Sequence, residues 1–415
     1  MSNTEQGPST APASLGAGLL CVLALLSAAP PLGTDMYLST FVQMAADLNT
    51  SASAVQLTLT SFMVGMGAGQ LIAGPVSDAT GRRTVLLIGT GLMLLASALT
   101  IVAPSIGLLI ALRLLTGLGG GAAVALARAV VADRTHGIAA AKAFSMLMMI
   151  QGVAPVAAPV IGGLLATHGG WRGIFAVITA CNLAAFVLTI TSIEETLPSA
   201  RRNHDGPRAF FAVAGRVVSN RRFMGFTLVT AFGFGVMFAY ISGSPFVPQE
   251  TYGLSQLSYA LLFGSGALWM TIASGCNTRL VDRFPVRSVL HVGLGVMTCG
   301  ALAFLVAGLV HAPLWYIVVC MLTTVTGVAL ALGNATALAT DALGGHATGT
   351  GSGLLGAIQF LIAGLISPLV GLAQDPTTGM AVVMLACLAV VLGAALPLAR
   401  AGSDGTPAAA SRLGR

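Results

Sequence analysis

The sequence predicts an all-α protein embedded in a membrane, and three observations support this fold class. The chain has 415 residues, of which 56% are hydrophobic and only 8% are charged. Soluble domains average about 25% charged residues, so too few charges are present here to cover a surface that faces water. Apolar stretches of about 20 residues, the length of a bilayer-spanning helix, recur along the chain. Only helices and closed barrels satisfy their own backbone groups in lipid, so we expect these stretches to be helices.

Twelve apolar stretches are long enough to cross the bilayer. The predicted spans are 15–41, 53–74, 84–102, 106–131, 143–166, 171–192, 223–248, 257–278, 288–310, 313–338, 350–372 and 378–399. A polar segment divides them into six and six. We therefore predict a six-helix domain at 1–192, a cytoplasmic connector at 193–222, a second six-helix domain at 223–399 and a cytoplasmic tail at 400–415.

Other classes of protein do not fit this composition. The net charge of +6 results from 19 basic and 13 acidic residues without a dense basic run, so we expect no nucleic-acid partner.

The first basic residue is Arg82, whereas a secretory signal has a basic segment before its apolar run. We therefore expect the first apolar stretch to be a helix of the mature protein.

The distribution of basic residues predicts the orientation. If the N-terminus lies in the cytoplasm, the arginines and lysines of the loops fall on the cytoplasmic side, and only Arg172 falls outside. This asymmetry follows the positive-inside rule, so we expect both termini in the cytoplasm. In the connector, Phe210, Val213, Ala214 and Val217 share one helical face flanked by arginines. That pattern predicts a short helix on the inner membrane surface, with a solvated linker as the alternative.

The two predicted halves repeat each other in the placement of their motifs. AGPVSDATGRR follows the second span and SGCNTRLVDRF follows the eighth. Pro159 and Gly162 in the fifth span are matched by Pro368 and Gly371 in the eleventh. Repeats of this kind predict a pseudo-twofold axis along the membrane normal, with a substrate site between the halves.

One acidic residue, Asp35, lies well inside an apolar span. A charge in the bilayer costs about 3 kcal/mol or more and is therefore usually functional. Arg113 in the fourth span lies at a similar depth, about 10 Å below the outer surface. We expect the two side chains to pair across a cavity, directly or through water. A carboxylate that can be neutralised in a low dielectric is a natural proton carrier, with a purely structural ion pair as the alternative.

The turn between the second and third spans carries the most specific motif. It reads GPVSDATGRR at 74–83. Gly81 permits a sharp reversal of the chain, and Asp78 can bond backbone amides or a nearby arginine. Such a cluster predicts a breakable lock at the inner side of the membrane. The alternative is a turn whose arginines only satisfy the positive-inside rule.

With TDMYL at 34–38 and VQLTLTSFMVGMGAGQLIAGPVSDATGRR at 55–83, the sequence resembles the major facilitator superfamily. Within it, the chain is similar to the twelve-helix drug:proton antiporters of the Bcr/CflA subgroup, which includes bicyclomycin and chloramphenicol exporters. The resemblance covers about residues 14–400 and is densest up to Arg172. It implies the major facilitator fold, in which twelve transmembrane helices form two pseudo-symmetric six-helix bundles.

The resemblance also implies roles for individual residues. Asp35 matches the protonatable aspartate of the first helix, and Arg113 in ALRLLTGLGGGAA matches the arginine tied to proton coupling. The residues implied for the inner lock are Gly74, Asp78, Gly81, Arg82 and Arg83, with Asp133 as the acidic partner. GVAPVAAPVIGG resembles the antiporter motif of the fifth helix, with Gly152, Pro155, Pro159, Gly162 and Gly163. The residues expected in the substrate cavity are Thr34, Asp35, Arg113, Gln151 and Tyr240.

These features predict a proton-coupled antiporter that exports small amphiphilic drugs across the bacterial cytoplasmic (inner) membrane by alternating access. The expected partners are drug substrates, protons and membrane lipid, with the chain acting as a monomer. A metabolite or sugar porter of the same fold is the alternative, although the spans contain few Asn and Gln side chains. We expect neither an enzyme nor a cofactor or metal site, because the six histidines lie in loops or at span ends without metal spacing.

Overall fold

The computed structural model describes residues 17–135, 137–199, 202, 206–343, 348–373 and 375–401. Side chains are described in these ranges except at 17, 30, 137–145, 147–153, 206–211, 348–349, 394 and 399–401. The described chain is helical and contains no strand, which confirms the predicted fold class. The first half contains α1 (Ala17–Asp35), α2 (Phe41–Asp47), α3 (Ala52–Thr80), α4 (Arg82–Ile101), α5 (Ile106–Arg134) and α6 (Gly137–Ser192).

The second half follows the helix α7 (Gly206–Ser219). Its helices are α8 (Arg221–Gly243), α9 (Gln256–Val281), α10 (Val286–Leu309), α11 (Leu314–Asp341), α12 (Thr348–Val370), α13 (Pro376–Val390) and α14 (Leu396–Ala401). We call the end of the bundle that contains Gly81 and α7 the inner end, and the opposite end the outer end. The inner end is the one that the sequence predicts to face the cytoplasm.

The described residues contain eleven helical segments that are long and apolar enough to cross a membrane. The predicted fifth and sixth spans both lie in α6. Gly170 separates them with a φ of 55° and a ψ of −159°, a left-handed conformation that glycine adopts at little cost. The chain therefore crosses the bilayer twice within α6, which gives the twelve predicted spans.

The first predicted span, 15–41, is wrong as one continuous helix, because α1 ends at Asp35. The chain bends at Met36 and Tyr37 and continues as a 3₁₀ turn at Leu38–Thr40 before α2. In a continuous helix the Gly33 carbonyl would accept the amide of Tyr37. Here Nη2 of Arg113 donates to that carbonyl at 2.6 Å. The break thus places a carboxylate at a helix end inside the bundle.

The halves pack in equivalent ways. The first segment of α6 lies between α1 of its own half and α9 of the other half. In the second half, α12 lies between α8 of its own half and α3 of the first. These two helices carry the matched Pro-x-x-Gly pairs of the sequence repeat, so the packing has the twofold relationship that the repeat predicts.

The connector forms the expected helix, but one face of that helix packs on protein. In α7, Ala214 and Val217 are buried, and Val213 is partly buried against the core of the second half. This helix contacts α3, α8 and α12 at their inner ends. Val218, on another face of this helix, is exposed. The placement of the helix on the inner membrane surface stays a prediction. Phe210 lies outside the described side chains.

Candidate functional site

A cavity of about 280 Å³ lies between the two halves, with walls from α1, α3, α5 and α6 on one side and from α8, α9, α11 and α12 on the other. Its lining is largely apolar and aromatic. Among the described lining residues, only Asp35 and Arg128 carry a charged group. The cavity is therefore a low-dielectric space in which each charge interacts strongly with a ligand.

Asp35 is the last residue of α1, and its side chain faces this cavity. It is 5% exposed. The hydroxyl Oγ1 of Thr34 donates to its Oδ1 atom at 2.9 Å. The surroundings solvate the charge of such a carboxylate poorly, so the charged form is costly there.

Of the two pairings expected for Asp35 and Arg113, direct or through water, the structure does not form the direct ion pair. No nitrogen of Arg113 lies within 4.0 Å of a carboxylate oxygen of the described residues. The guanidinium instead donates to the Gly33 carbonyl at 2.6 Å and to the Tyr37 hydroxyl at 3.4 Å. Arg113 therefore bonds the Gly33 backbone before Asp35 and the Tyr37 side chain after it, without forming an ion pair with Asp35.

Three aromatic rings surround the Arg113 guanidinium. Its Cζ atom lies 4.2 Å from the ring centroid of Phe62, 4.7 Å from that of Tyr37 and 5.7 Å from that of Phe175. Cation–π attraction of this kind is worth about 2 kcal/mol or more when it is desolvated. The rings explain how a side chain only 1% exposed retains a cation. The sequence did not indicate this aromatic cage, because its members come from three distant helical segments.

The expected cavity residues divide into three groups. Thr34, Asp35 and Tyr240 line the cavity, and the Tyr240 ring stacks on Phe263 with 5.4 Å between centroids. Arg113 lies behind the wall, inside its aromatic cage. Gln151 lies outside the described side chains. Arg128, which the sequence placed in the fourth span without a role, is a lining residue.

Hydrogen bonds between the two halves lie at the outer end, among the described residues. Gln56 Nε2 donates to the Ser242 carbonyl at 2.9 Å, and Ser53 Oγ donates to the Pro368 carbonyl at 3.2 Å. Gln256 Nε2 donates to Oε1 of Gln43 at 3.3 Å. These bonds lie on the side where the first, second, seventh, eighth and eleventh spans end or begin. They hold the two halves together at the outer end in this conformation.

The 152–163 segment of α6, which resembles the fifth-helix motif of the family, packs closely in the same region. A Cβ atom on Gly162 would overlap the Met36 carbonyl, and one on Gly163 would overlap the Ala260 side chain. The contact of Gly162 lies beside the break in α1, and the contact of Gly163 lies between the two halves. Pro155 lines the cavity, and Pro159 lies within the helix. Gly152 lies outside the residues whose surroundings the structure describes.

The inner lock residues assemble within the first half. Arg82 Nη1 lies 2.6 Å from Oδ1 of Asp78, and its Nε donates to Oδ2 of Asp133 at 3.3 Å. Arg83 donates from Nη2 to the Ile190 carbonyl at 3.1 Å. Gly81 has a φ of 106°, so a side chain there would be strained. In this conformation, the contacts of the inner lock join α3, α4, α5 and α6.

Gly74 differs from the other members of this cluster. A Cβ atom there would meet no atom within 4 Å, whereas one on Gly81 would overlap the carboxylate of Glu195. The surroundings of Gly74 therefore give no steric reason for a glycine.

Glu195 is a member of the inner cluster that the sequence did not indicate. Its Oε1 accepts from the backbone amide of Arg82 at 2.9 Å, and its Oε2 accepts from that of Arg83 at 3.3 Å. These are first-turn amides of α4, which have no partner within a helix. Burial opposes ionisation of Glu195, but the hydrogen bonds from the amides of Leu197, Arg82 and Arg83 and the charge of Arg202 outweigh it. The pKa of Glu195 therefore lies below its ordinary value.

A family model described as the Major Facilitator Superfamily matches residues 20–368. The chain is 36% identical over 368 residues to the uncharacterized MFS-type transporter YdgK of Bacillus subtilis, covering 88% of this chain and 91% of that protein. It is 28% identical over 381 residues to a bicyclomycin resistance protein homolog of Haemophilus influenzae, covering 89% and 93%.

The fold is also similar to that of a bacterial homolog of the human lysosomal transporter Spinster, in an inward-facing and unoccupied conformation. The TM-score is 0.72 at 18% sequence identity, with 93% of this chain and 96% of the other covered. At this level of identity the similarity concerns the fold.

Proposed function

The chain belongs to the major facilitator superfamily, a family of transporters, and we propose that it is a proton-coupled antiporter that exports small amphiphilic drugs. Protons and drug would use one cavity by alternating access. The protein would lie in the bacterial inner membrane as a monomer, with both termini, the 193–222 connector and the 400–415 tail in the cytoplasm. Residues 1–192 and 223–399 would move as the two bundles.

The observation that carries this proposal is the position of Asp35. It is a carboxylate in an apolar cavity between the two halves, at a helix break and next to the contacts that join the halves at the outer end. Protonation from the outer side would remove its charge, and release of the proton to the cytoplasm would restore it. A proton and a drug that favour different states of one cavity are coupled by linkage.

Two further observations support drugs as the substrate class. The cavity is lined by aromatic side chains and by Met63, Met66, Met237 and Met270, and methionine adapts its shape to varied apolar ligands. The related protein from Haemophilus influenzae is named a bicyclomycin resistance protein homolog. Asp35 and Arg113 are the residues that we assign to proton coupling, and Thr34, Asp35, Gln151 and Tyr240 those that we assign to the cavity.

The test of this proposal is a growth-inhibition panel in a host that lacks its own drug pumps. The panel contains bicyclomycin, chloramphenicol derivatives and lipophilic cations, with the empty vector as control. Resistance to at least one class, lost when the proton gradient is dissipated, is the expected result. Unchanged sensitivity to all compounds would contradict the proposal and favour a metabolite porter.

A further inference from the structure

Two arginines on α5 differ in their access to the cavity. Arg113 is 1% exposed and lies among three aromatic rings, so it cannot reach a ligand. Arg128 is exposed, and it lines the cavity. Fifteen residues separate the two, which is about 22 Å along a helix. The cation available to a substrate is therefore Arg128, near the inner end of the cavity.

The direction of α5 aims this side chain at the cavity. The helix begins with Ser105 as its N-cap at the outer end and runs to Arg134 at the inner end. In an α-helix, each Cα–Cβ bond tilts toward the N-terminus. The long side chain of Arg128 therefore extends from the inner mouth toward the centre of the membrane, where Asp35 lines the same space.

Arg128 has no acidic partner among the described residues. No carboxylate oxygen there lies within 4.0 Å of its guanidinium. Some arginines near the inner end are paired, as Arg82 is with Asp78 and Arg134 is with Glu194, whereas Arg83 and Arg279 have no carboxylate partner within 4.0 Å among the described residues and do not line the cavity. Because Arg128 is exposed and lines the cavity, the donors of its guanidinium are available to a ligand. A ligand with an anionic group would be the matching partner for this cation.

We infer that Arg128 binds an anionic group of the transported substrate, so that the cavity accepts amphiphiles that carry a carboxylate. The planar guanidinium can donate two parallel hydrogen bonds to a carboxylate. The amide of Gln70 lies in the same lining and can donate a further hydrogen bond, whereas the Ser27 hydroxyl donates to the Leu23 carbonyl. Asp35 remains available for the proton or for a positive group on the same ligand. This inference rests on one part of the proposed function, namely that the substrate enters this cavity.

The test compares two dyes that differ by one methyl ester. Rhodamine 110 has a free carboxylate, and rhodamine 123 is its methyl ester with the same ring system. Equilibrium binding of each dye is measured by fluorescence polarisation with the purified full chain in lipid nanodiscs. We expect the wild type to bind the acid at least about tenfold more tightly than the ester. This factor corresponds to the free energy of one hydrogen bond between charged groups.

Three variants test whether this preference comes from Arg128. Arg128→Gln should weaken binding of the acid until the two dyes bind equally, with binding of the ester unchanged. Arg128→Lys should retain part of the preference, since it keeps the charge. Arg279→Gln removes an exposed cation outside the cavity and should behave as the wild type.

The inference is overturned if the wild type shows no preference for the acid, which includes the case in which neither dye binds. It is also overturned if Arg128→Gln keeps the preference for the acid, or if it weakens the binding of both dyes equally. Efflux of the ester from vesicles with an imposed pH gradient is measured in parallel. Absence of gradient-driven efflux in the wild type would count against the proposed function, while the binding preference would still test Arg128.

Discussion

The Nη2 atom of Arg113 donates a 2.6 Å hydrogen bond to the carbonyl of Gly33, two residues before Asp35. This bond joins α5 to the C-terminal end of α1, at the point where the helix breaks. The same guanidinium contacts Tyr37 on the other side of Asp35. Arg113 therefore fixes the backbone that carries the cavity acid, and a change in its position would move Asp35.

Arg113→Lys is expected to reduce drug efflux at least tenfold even though it keeps the positive charge. An ammonium group is a point charge that cannot stack among three rings while it bonds the Gly33 carbonyl. The measurement is efflux rate in vesicles, together with labelling of a Met36→Cys reporter, which should become more reactive. Arg279→Lys, at an exposed position, serves as the control. If Arg113→Lys had the wild-type efflux rate, a positive charge at this position would be sufficient for transport.

Gly162→Ala is expected to abolish or strongly reduce export, because the new methyl group would overlap the Met36 carbonyl. Overpacking of this kind costs typically 1–3 kcal/mol. Here it would also displace the break in α1 that presents Asp35. Gly173→Ala is a matched control on the same helix, since a Cβ atom there meets nothing within 4 Å. Resistance conferred by each variant at equal expression is the measurement; equal resistance would contradict the packing account.

Two glycines of the turn motif should respond differently to alanine. Gly81→Ala should lower export, because Gly81 has a φ of 106° and its Cβ atom would overlap the Glu195 carboxylate. Gly74→Ala should be tolerated, because its surroundings are open. Thermal stability of the purified variants and resistance in cells are the readouts. A Gly74→Ala variant as damaged as Gly81→Ala would indicate a contact in another conformation.

Glu195 predicts a pH dependence of the inner cluster. Its pKa is lowered in the folded protein, so its contribution to stability is present above the ordinary glutamate pKa of about 4.3 and is lost as the pH falls through the lowered pKa. The protection factors of the Arg82 and Arg83 amides, which correct for the pH dependence of intrinsic exchange, should therefore fall in acid. In Glu195→Gln these protection factors should be lower at neutral pH, with little further change on acidification. Equal protection in both proteins at neutral pH would exclude this capping role.

The spans could be predicted from sequence because apolar length is a local property, and most predicted ends fall within a few residues of the observed ones. The break after Asp35 was not predicted, because apolar length alone does not locate a bend within residues 15–41. The Gly33 carbonyl at this break accepts from Arg113, which lies 80 positions away in the chain.

The candidate site could also be predicted only in part from the sequence. Asp35 and Tyr240 could be placed in the cavity because the resemblance implies that their helices line it. That Arg128 and not Arg113 lines the cavity could not be predicted, because it depends on which face of α5 meets the rings of Phe62, Tyr37 and Phe175. Glu195 was missed for a similar reason, since it caps a helix that begins more than 100 residues earlier.

The measurement that tests the central claim most directly is drug efflux from proteoliposomes with an imposed pH gradient, with the wild type beside Asp35→Asn. Asparagine has nearly the same shape and cannot release a proton. We expect the wild type to accelerate efflux with the gradient, and Asp35→Asn to retain drug exchange between equal drug concentrations but lose the response to the gradient. If Asp35→Asn kept gradient-driven efflux at the wild-type rate, Asp35 would not be the site at which protons are coupled to export.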